Sequence, residues 1–271
     1  MAPYPCPPNA GTPNMAKQPQ PRQLHGRVAL VTGGGRRIGS AIALALGRAG
    51  AGVVVHYRRS KTEAEQICTS LRNECEVEAW MVQADLSDAA ELQSLIPRAT
   101  ELAGRLDVLI NNASTFPADG LDDLSLQGLM SSITVNTWAP FQLTRLFAQR
   151  SASGTVVNLL DSRLRGYDWA HVSYIVAKHA LELLTRMSAL RYAPNVTVNA
   201  VAPGLILPPP GKDESYLNAL ANTVPMRKHG TPQDIADAVL FLATSSFITG
   251  QVIYVDGGRH LREYTDGPHP H

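Results

Sequence analysis

Short runs rich in β-branched residues recur along the chain with segments of helical period between them, and this alternation most narrows the fold. Strands are expected to begin with RVALVT at Arg27, GVVVHY at Gly52, VEAWMVQ at Val77, DVLINN at Asp107, GTVVNLL at Gly154, VTVNAV at Val196 and QVIYVD at Gln251. The periodicity predicts helices over 38–48, 61–73, 88–103, 124–145, 171–192 and 232–244. A strand followed each time by a helix makes parallel pairs with crossover connections. The expected fold is therefore a single Rossmann-like, doubly wound α/β domain, with a seven-stranded parallel sheet and helices on both faces.

A chain of 271 residues, 44% hydrophobic and 17% charged, can bury one large core. Residues 1–25, with prolines at 3, 5, 7, 8, 13, 19 and 21, read as a disordered tail, 26–262 as the domain and 263–271 as a flexible end. Lys and Arg number 24 against 23 Asp and Glu, so no overall field draws nucleic acid or an anionic membrane. The uncharged run 238–255 approaches a membrane span in length, but TSS and TGQ interrupt it. Cys6, Cys68 and Cys75 form no disulfide framework, which fits a reducing cytoplasm. His269 and His271 have no ligand partners at defined spacing, and no metal is assigned.

The first strand runs directly into TGGGRRIG and then the helix SAIALALGRAG. In such a turn, Gly33 and Gly39 let the backbone approach a pyrophosphate, flanked by Arg36, Arg37 and Ile38, and the helix N-terminus supplies unpaired N–H groups. The second strand ends in His56, Tyr57, Arg58, Arg59 and Ser60, where NAD-binding chains carry an acidic residue. Arg58 and Arg59 suit a ribose 2′-phosphate instead, so the expected cofactor is NADPH; the alternative is four arginines that are plain solvated charges.

Tyr174 and Lys178 stand four apart and share one helical face. An ammonium near a phenol favours the phenolate, so Tyr174 is expected to ionise below its usual value of about 10 and relay a proton. The pair follows the strand GTVVNLLD, which sets Asp161 at a carboxyl end, where doubly wound sheets bind ligands. Asn136 lies in an earlier helix, and surface packing is the competing reading of the Tyr–Lys pair.

Taken together, these residues resemble the short-chain dehydrogenase/reductase family over about 28–262. The resemblance matches TGGGRRIG, Asp85 and Leu86 beside the adenine, Asn112, Ala113 and Ser114 of NNAS, Asn136, Tyr174, Lys178, and Pro203, Gly204 and Leu205. Two departures, Arg37 for a glycine and Asp161 for the usual serine, make the chain similar to the pteridine reductases of that family. That likeness implies that Phe116 sandwiches a pterin ring against the nicotinamide, that Ser114 touches cofactor and pterin, and that Arg37 helps hold the ring. It also implies that Asp161 and Tyr174 orient donors and pass protons, that Lys178 tunes Tyr174 and holds the ribose, and that Asn136 supports the lysine or a relay water. VDGGRHLR, DSRLRGYDWAHVSY and the PGLILPPPGKDESY loop look most like bacterial dihydromonapterin and dihydrofolate reductases. Members are usually homotetramers, with Arg262 near an end that can enter a neighbouring site.

The implied reaction is reduction of a 7,8-dihydropterin, with dihydrobiopterin, dihydromonapterin or dihydrofolate as substrate. Hydride goes to a C=N carbon and a proton to its nitrogen. A carbonyl or 3-oxoacyl-thioester reductase is the alternative, weakened because an ionised Asp161 would repel a developing oxyanion. A shift of one residue would make Ser162 the working hydroxyl, and a catalytically idle NADP-binding protein is the third reading. The long stretch 203–230 is expected to cover the site.

Overall fold

The computed structural model describes residues 23–209, 211–261 and the backbone of Thr265–Asp266. Cys6, His269, His271, Arg262 and most of both expected tails lie outside the described residues.

Seven parallel strands form one sheet in the order β3-β2-β1-β4-β5-β7-β8. They are β1 Val28–Val31, β2 Gly52–Tyr57, β3 Ala79–Gln83, β4 Val108–Asn111, β5 Gly154–Leu159, β7 Val196–Pro203 and β8 Val252–Val255. All seven expected strands form, shorter than expected at several ends and longer at β7. Order reverses between β1 and β4, and a crevice opens there beyond the strand ends.

Alternate residues of each strand supply opposite faces. Ala29, Val31, Val53, Val55, Val108 and Ile110 pack on one face under α1 Arg37–Arg48, α2 Lys61–Glu74 and α8 Pro232–Thr244. Val28, Leu30, Val54, Leu109, Val156 and Val198 pack on the other. That face is covered by α3 Ala89–Ala103, α5 Ala139–Arg150 and the end of α6 Val172–Tyr192. Both faces of the central strands are dry, which is why those strands read as continuous apolar runs.

Several helix ends follow local chemistry. The Asp88 carboxylate accepts from the Ala90 and Glu91 amides to start α3, and Thr231 with Asp234 closes a reciprocal cap on α8. The helix expected over 124–145 is instead α4 Leu126–Ile133, a π-turn Thr134–Trp138, and α5. Pro140 has no N–H to give the Asn136 carbonyl four residues back, so the regular ladder cannot pass through this point.

Leu24, expected in the tail, is fully buried and its amide bonds the Ala49 carbonyl at 2.9 Å, so residues 23–25 belong to the packed unit. Thr265–Asp266, β9, also expected in a tail, runs parallel to the short strand β6 Tyr167–Asp168. Within 203–230 the chain forms the helix α7 Glu214–Leu220. Among the described residues no helix is long and apolar enough to cross a membrane.

Candidate active site

A cleft of about 1150 Å³ lies over the strand ends. At one end, β1 delivers the chain into the glycine turn. Gly33 has φ +63°, and a Cβ on Gly39 would sit 2.2 Å from the Gly33 carbonyl oxygen, so only glycine fits at 39. Asn112 donates from Nδ2 to the Thr32 and Gly33 carbonyls, at 2.8 and 3.2 Å. The Asn112 and Ala113 amides in turn donate to Thr32 Oγ1, which locks β4's exit to the turn.

His56 braces the same turn from β2. Its Nδ1 accepts from the Gly33 amide at 3.1 Å, which leaves Nε2 to donate to the Ala84 carbonyl at 3.0 Å. Burial keeps this imidazole neutral and pushes its pKa down to about 4. His56 therefore lines the cleft and also holds the turn in shape.

Tyr57, Arg58, Arg59 and Ser60 line the adjoining wall with Asp85 and Leu86. Arg58 lies 3.9 Å from the Asp85 carboxylate and Arg36 3.4 Å from Glu63, pairs exposed enough to be easily broken by an arriving anion. Asp85 is held below the usual carboxylate range, chiefly by the Ser87 hydroxyl and amide. Arg37 takes the left-handed conformation at φ 55°, and its Nη2 donates to the Pro208 carbonyl at 2.8 Å. It thus ties the turn to the long loop, a link not expected from the sequence. Ile38, Ala113, Gly204 and Leu205 also line the cleft, whereas Pro203 stays in β7 paired with Val255.

At the other end stand the residues expected to do chemistry. Tyr174 donates its hydroxyl to Asp161 Oδ2 at 3.1 Å. Burial first, and the Asp161 carboxylate second, raise the phenol well above its ordinary value. The expectation of a phenol acidified by Lys178 is thus corrected: a facing carboxylate disfavours the phenolate. Lys178 is buried, donates from Nζ to the Leu159 carbonyl at 2.6 Å, and stands 5.5 Å from the Tyr174 ring centre. Burial lowers its own pKa to about 8.

Asn136 sits fully buried in the π-turn. Its Oδ1 accepts from Ser114 Oγ at 2.7 Å and the Thr115 amide at 3.0 Å, while Nδ2 donates to the Thr115 carbonyl and Ser132 Oγ, each at 3.0 Å. The side chain thus pins the loop after β4 to α4, and among the described residues it makes no direct hydrogen bond to Lys178. Ser162, the alternative working hydroxyl, is fully buried and does not line the cleft. Asp161, one residue earlier, does.

Phe116 is 43% exposed and lies edge-on to Tyr174, with ring centres 4.7 Å apart. His171 stacks on it at 3.9 Å. Sequence reading missed His171, Asp168 and Arg163. Arg163 forms an ion pair with Asp161 at 2.8 Å and a second with Asp168, which also bonds His171. Arg163 holds the Asp161 carboxyl below its usual range against the opposing effect of burial. The Asp-x-Arg spacing after a strand was the available signal, but two residues apart in an irregular turn fixes no mutual geometry. Tyr216, Leu217 and Leu220 of α7 line the cleft, as the expectation of a covering loop required. Among the described residues no cluster of metal-binding side chains occurs.

The family model described as enoyl-(acyl carrier protein) reductase matches residues 34–260. The chain is 36% identical to the granaticin polyketide synthase putative ketoacyl reductase 2 of Streptomyces violaceoruber, over 86% of this chain and 96% of that one. It is 34% identical to pteridine reductase 1 of Leishmania tarentolae, over 86% and 96% of the two chains. The solved structure of FolM alternative dihydrofolate reductase 1 from Brucella suis in complex with NADP superposes with a TM-score of 0.84 and 32% identity, covering 89% of this chain and 98% of that one.

Proposed function

The chain belongs to the short-chain dehydrogenase/reductase family of oxidoreductases, and from that premise we propose that it uses NADPH to reduce a 7,8-dihydropterin, free or within dihydrofolate, to the tetrahydro form. The observation that carries this reading is Asp161 accepting the Tyr174 hydroxyl beside the exposed ring of Phe116. Carbonyl reduction needs that hydroxyl aimed at an oxygen gaining negative charge, and a carboxylate next to it opposes the change. An imine nitrogen that takes a proton leaves no alkoxide behind, and Phe116, stacked by His171 on one side, offers the rest of its flat apolar ring to a heterocycle.

The turn fits a dinucleotide, since the cradle at Gly39 has no room for a side chain and four arginines stand in or beside it. Gly33, Arg36, Arg37, Ile38 and Gly39 would hold the pyrophosphate, and Arg58 with Arg59 the 2′-phosphate. When bound, NADPH supplies the hydride. The chain's own work is then to clamp the ring on Phe116, exclude water with the α7 loop and keep a proton on the Tyr174 hydroxyl. The buried Lys178 places positive charge under the phenol that yields that proton.

The Streptomyces relative, named as a ketoacyl reductase, favours a carbonyl substrate as the second reading. NADPH oxidation with dihydrobiopterin, dihydromonapterin, dihydrofolate, ketones and acetoacetyl thioesters side by side separates the two. Turnover of pterins, lost in Asp161→Ala with NADPH binding retained, supports the proposal, and turnover of ketones or thioesters alone overturns it.

We also propose one domain over 26–262, extended by the packed Leu24, in a homotetramer within the cytoplasm, where Cys68 and Cys75 are buried. Val176, Leu183, Met187 and Leu190 form an exposed apolar stripe on α6 that suits burial between copies. A monomer in sedimentation equilibrium would contradict that assembly.

A further inference from the structure

Asp161 has no spare acceptor. Its Oδ1 takes the Arg163 amide and Nε, both at 2.9 Å, and its Oδ2 takes Arg163 Nη2 at 2.8 Å and the Tyr174 hydroxyl at 3.1 Å. A carboxylate offers about four lone-pair sites, so a ring N–H arriving here must displace an existing bond. Arg163 is different. A guanidinium carries five N–H groups, and Arg163 spends one from Nε, one from Nη2 and one from Nη1, the last on Asp168 Oδ2. One N–H on each terminal nitrogen is left uncommitted among the described residues. Arg163 lines the cleft with its guanidinium carbon 4.9 Å from the Phe116 ring centre and 5.7 Å from that of Tyr174.

We propose that Arg163 is a specificity-determining residue of this cleft, presenting hydrogen-bond donors to an acceptor edge, an oxo group or unprotonated ring nitrogen, of the flat substrate resting on Phe116. The identity of that substrate rests on the pterin reading above. Two features suit Arg163 to the task. Its plane is fixed before substrate arrives, because Asp161 and Asp168 grip it from two sides, and Asp168 is itself held by the Ala170 amide and His171 Nδ1. Its remaining N–H groups belong to a charged fork, and such donors bond an acceptor more strongly than neutral ones do.

The test compares full-length wild type, Arg163→Ala and Arg163→Lys. Readouts are NADPH affinity, calorimetric binding of fully oxidised pterin to the NADPH complex, and kcat and KM with and without millimolar ethylguanidinium. A lost charged hydrogen bond predicts pterin binding about 10- to 100-fold weaker in Arg163→Ala, with KM rising more than kcat falls. NADPH affinity stays unchanged. Ethylguanidinium restores part of the loss and methylammonium does not, and Arg163→Lys recovers little because a point charge cannot reproduce the fork.

Pterin affinity unchanged in Arg163→Ala overturns the proposal. So does a loss matched by lost NADPH affinity without rescue, since that marks a structural role. Should Arg163→Ala fail to fold with two carboxylates unpaired, Arg163→Ala with Asp168→Asn carries the same comparison. If wild type neither binds pterin nor reduces dihydropterins but turns over ketones, the pterin reading fails, and the effect of Arg163 is read from the ketone KM. The two failures are thus distinct.

Discussion

His56 makes the stability of the glycine turn after β1 depend on pH, by an amount the structure sets. The imidazole is 2% exposed, its Nδ1 accepts from Gly33, and its pKa falls from 6.5 to about 4. Because the folded pKa is depressed, the unfolded chain binds more protons between these values, and stability falls as pH falls through that window. The full shift corresponds to about 3 kcal/mol, and the share lost between pH 7 and pH 5 is about 2 kcal/mol. His56→Asn keeps an acceptor for the Gly33 amide and cannot titrate. It destabilises the protein near neutral pH, where the Ala84 bond is lost, and that deficit relative to wild type shrinks by about 2 kcal/mol at pH 5. Denaturant unfolding at fixed protein concentration, at both pH values, measures the difference. A deficit unchanged between them would refute the reasoning, because the imidazole would then take up no more protons on unfolding than on staying folded.

Removing both Arg58 and Arg59 as alanines weakens NADPH by about 10- to 100-fold while NADH affinity stays nearly level, read by fluorescence titration; equal losses contradict a 2′-phosphate site. Lys178, with its pKa lowered to about 8, is charged below that value and neutral above it, so kcat falls as pH rises through 8. The residual activity of Lys178→Met lacks this alkaline limb, and a limb that persists there belongs to another group. Gly39→Ala drives a methyl into the Gly33 carbonyl, so NADPH binding collapses while far-ultraviolet circular dichroism stays native. Wild-type NADPH affinity in that variant would show that the turn does not hold the pyrophosphate.

The sheet was legible because each central strand is buried on both faces and each crossover needs a helix. Those demands write themselves into local sequence as apolar runs and 3.6-residue periods. The glycine turn was legible for a similar reason, since a Cβ at Gly39 collides with backbone a few residues away. Element ends were less so: nothing local separated α4 from α5 until the missing N–H of Pro140 was set against the ladder it interrupts.

Asp161, Tyr174, Lys178 and Phe116 could be named from motifs, and the structure brings all four to one end of the cleft or beneath it. Their electrostatics could not be named. The sequence placed Lys178 one helical turn from Tyr174, which suggested an acidified phenol. The tertiary fold instead turned the hydroxyl onto Asp161, buried the lysine on Leu159, and brought in Arg163 from a turn with no periodic pattern. Spacing along one helix determines which side chains share a face. Charge, protonation and spare hydrogen-bonding capacity depend on which groups from other elements arrive within about 4 Å, and only the folded chain decides that.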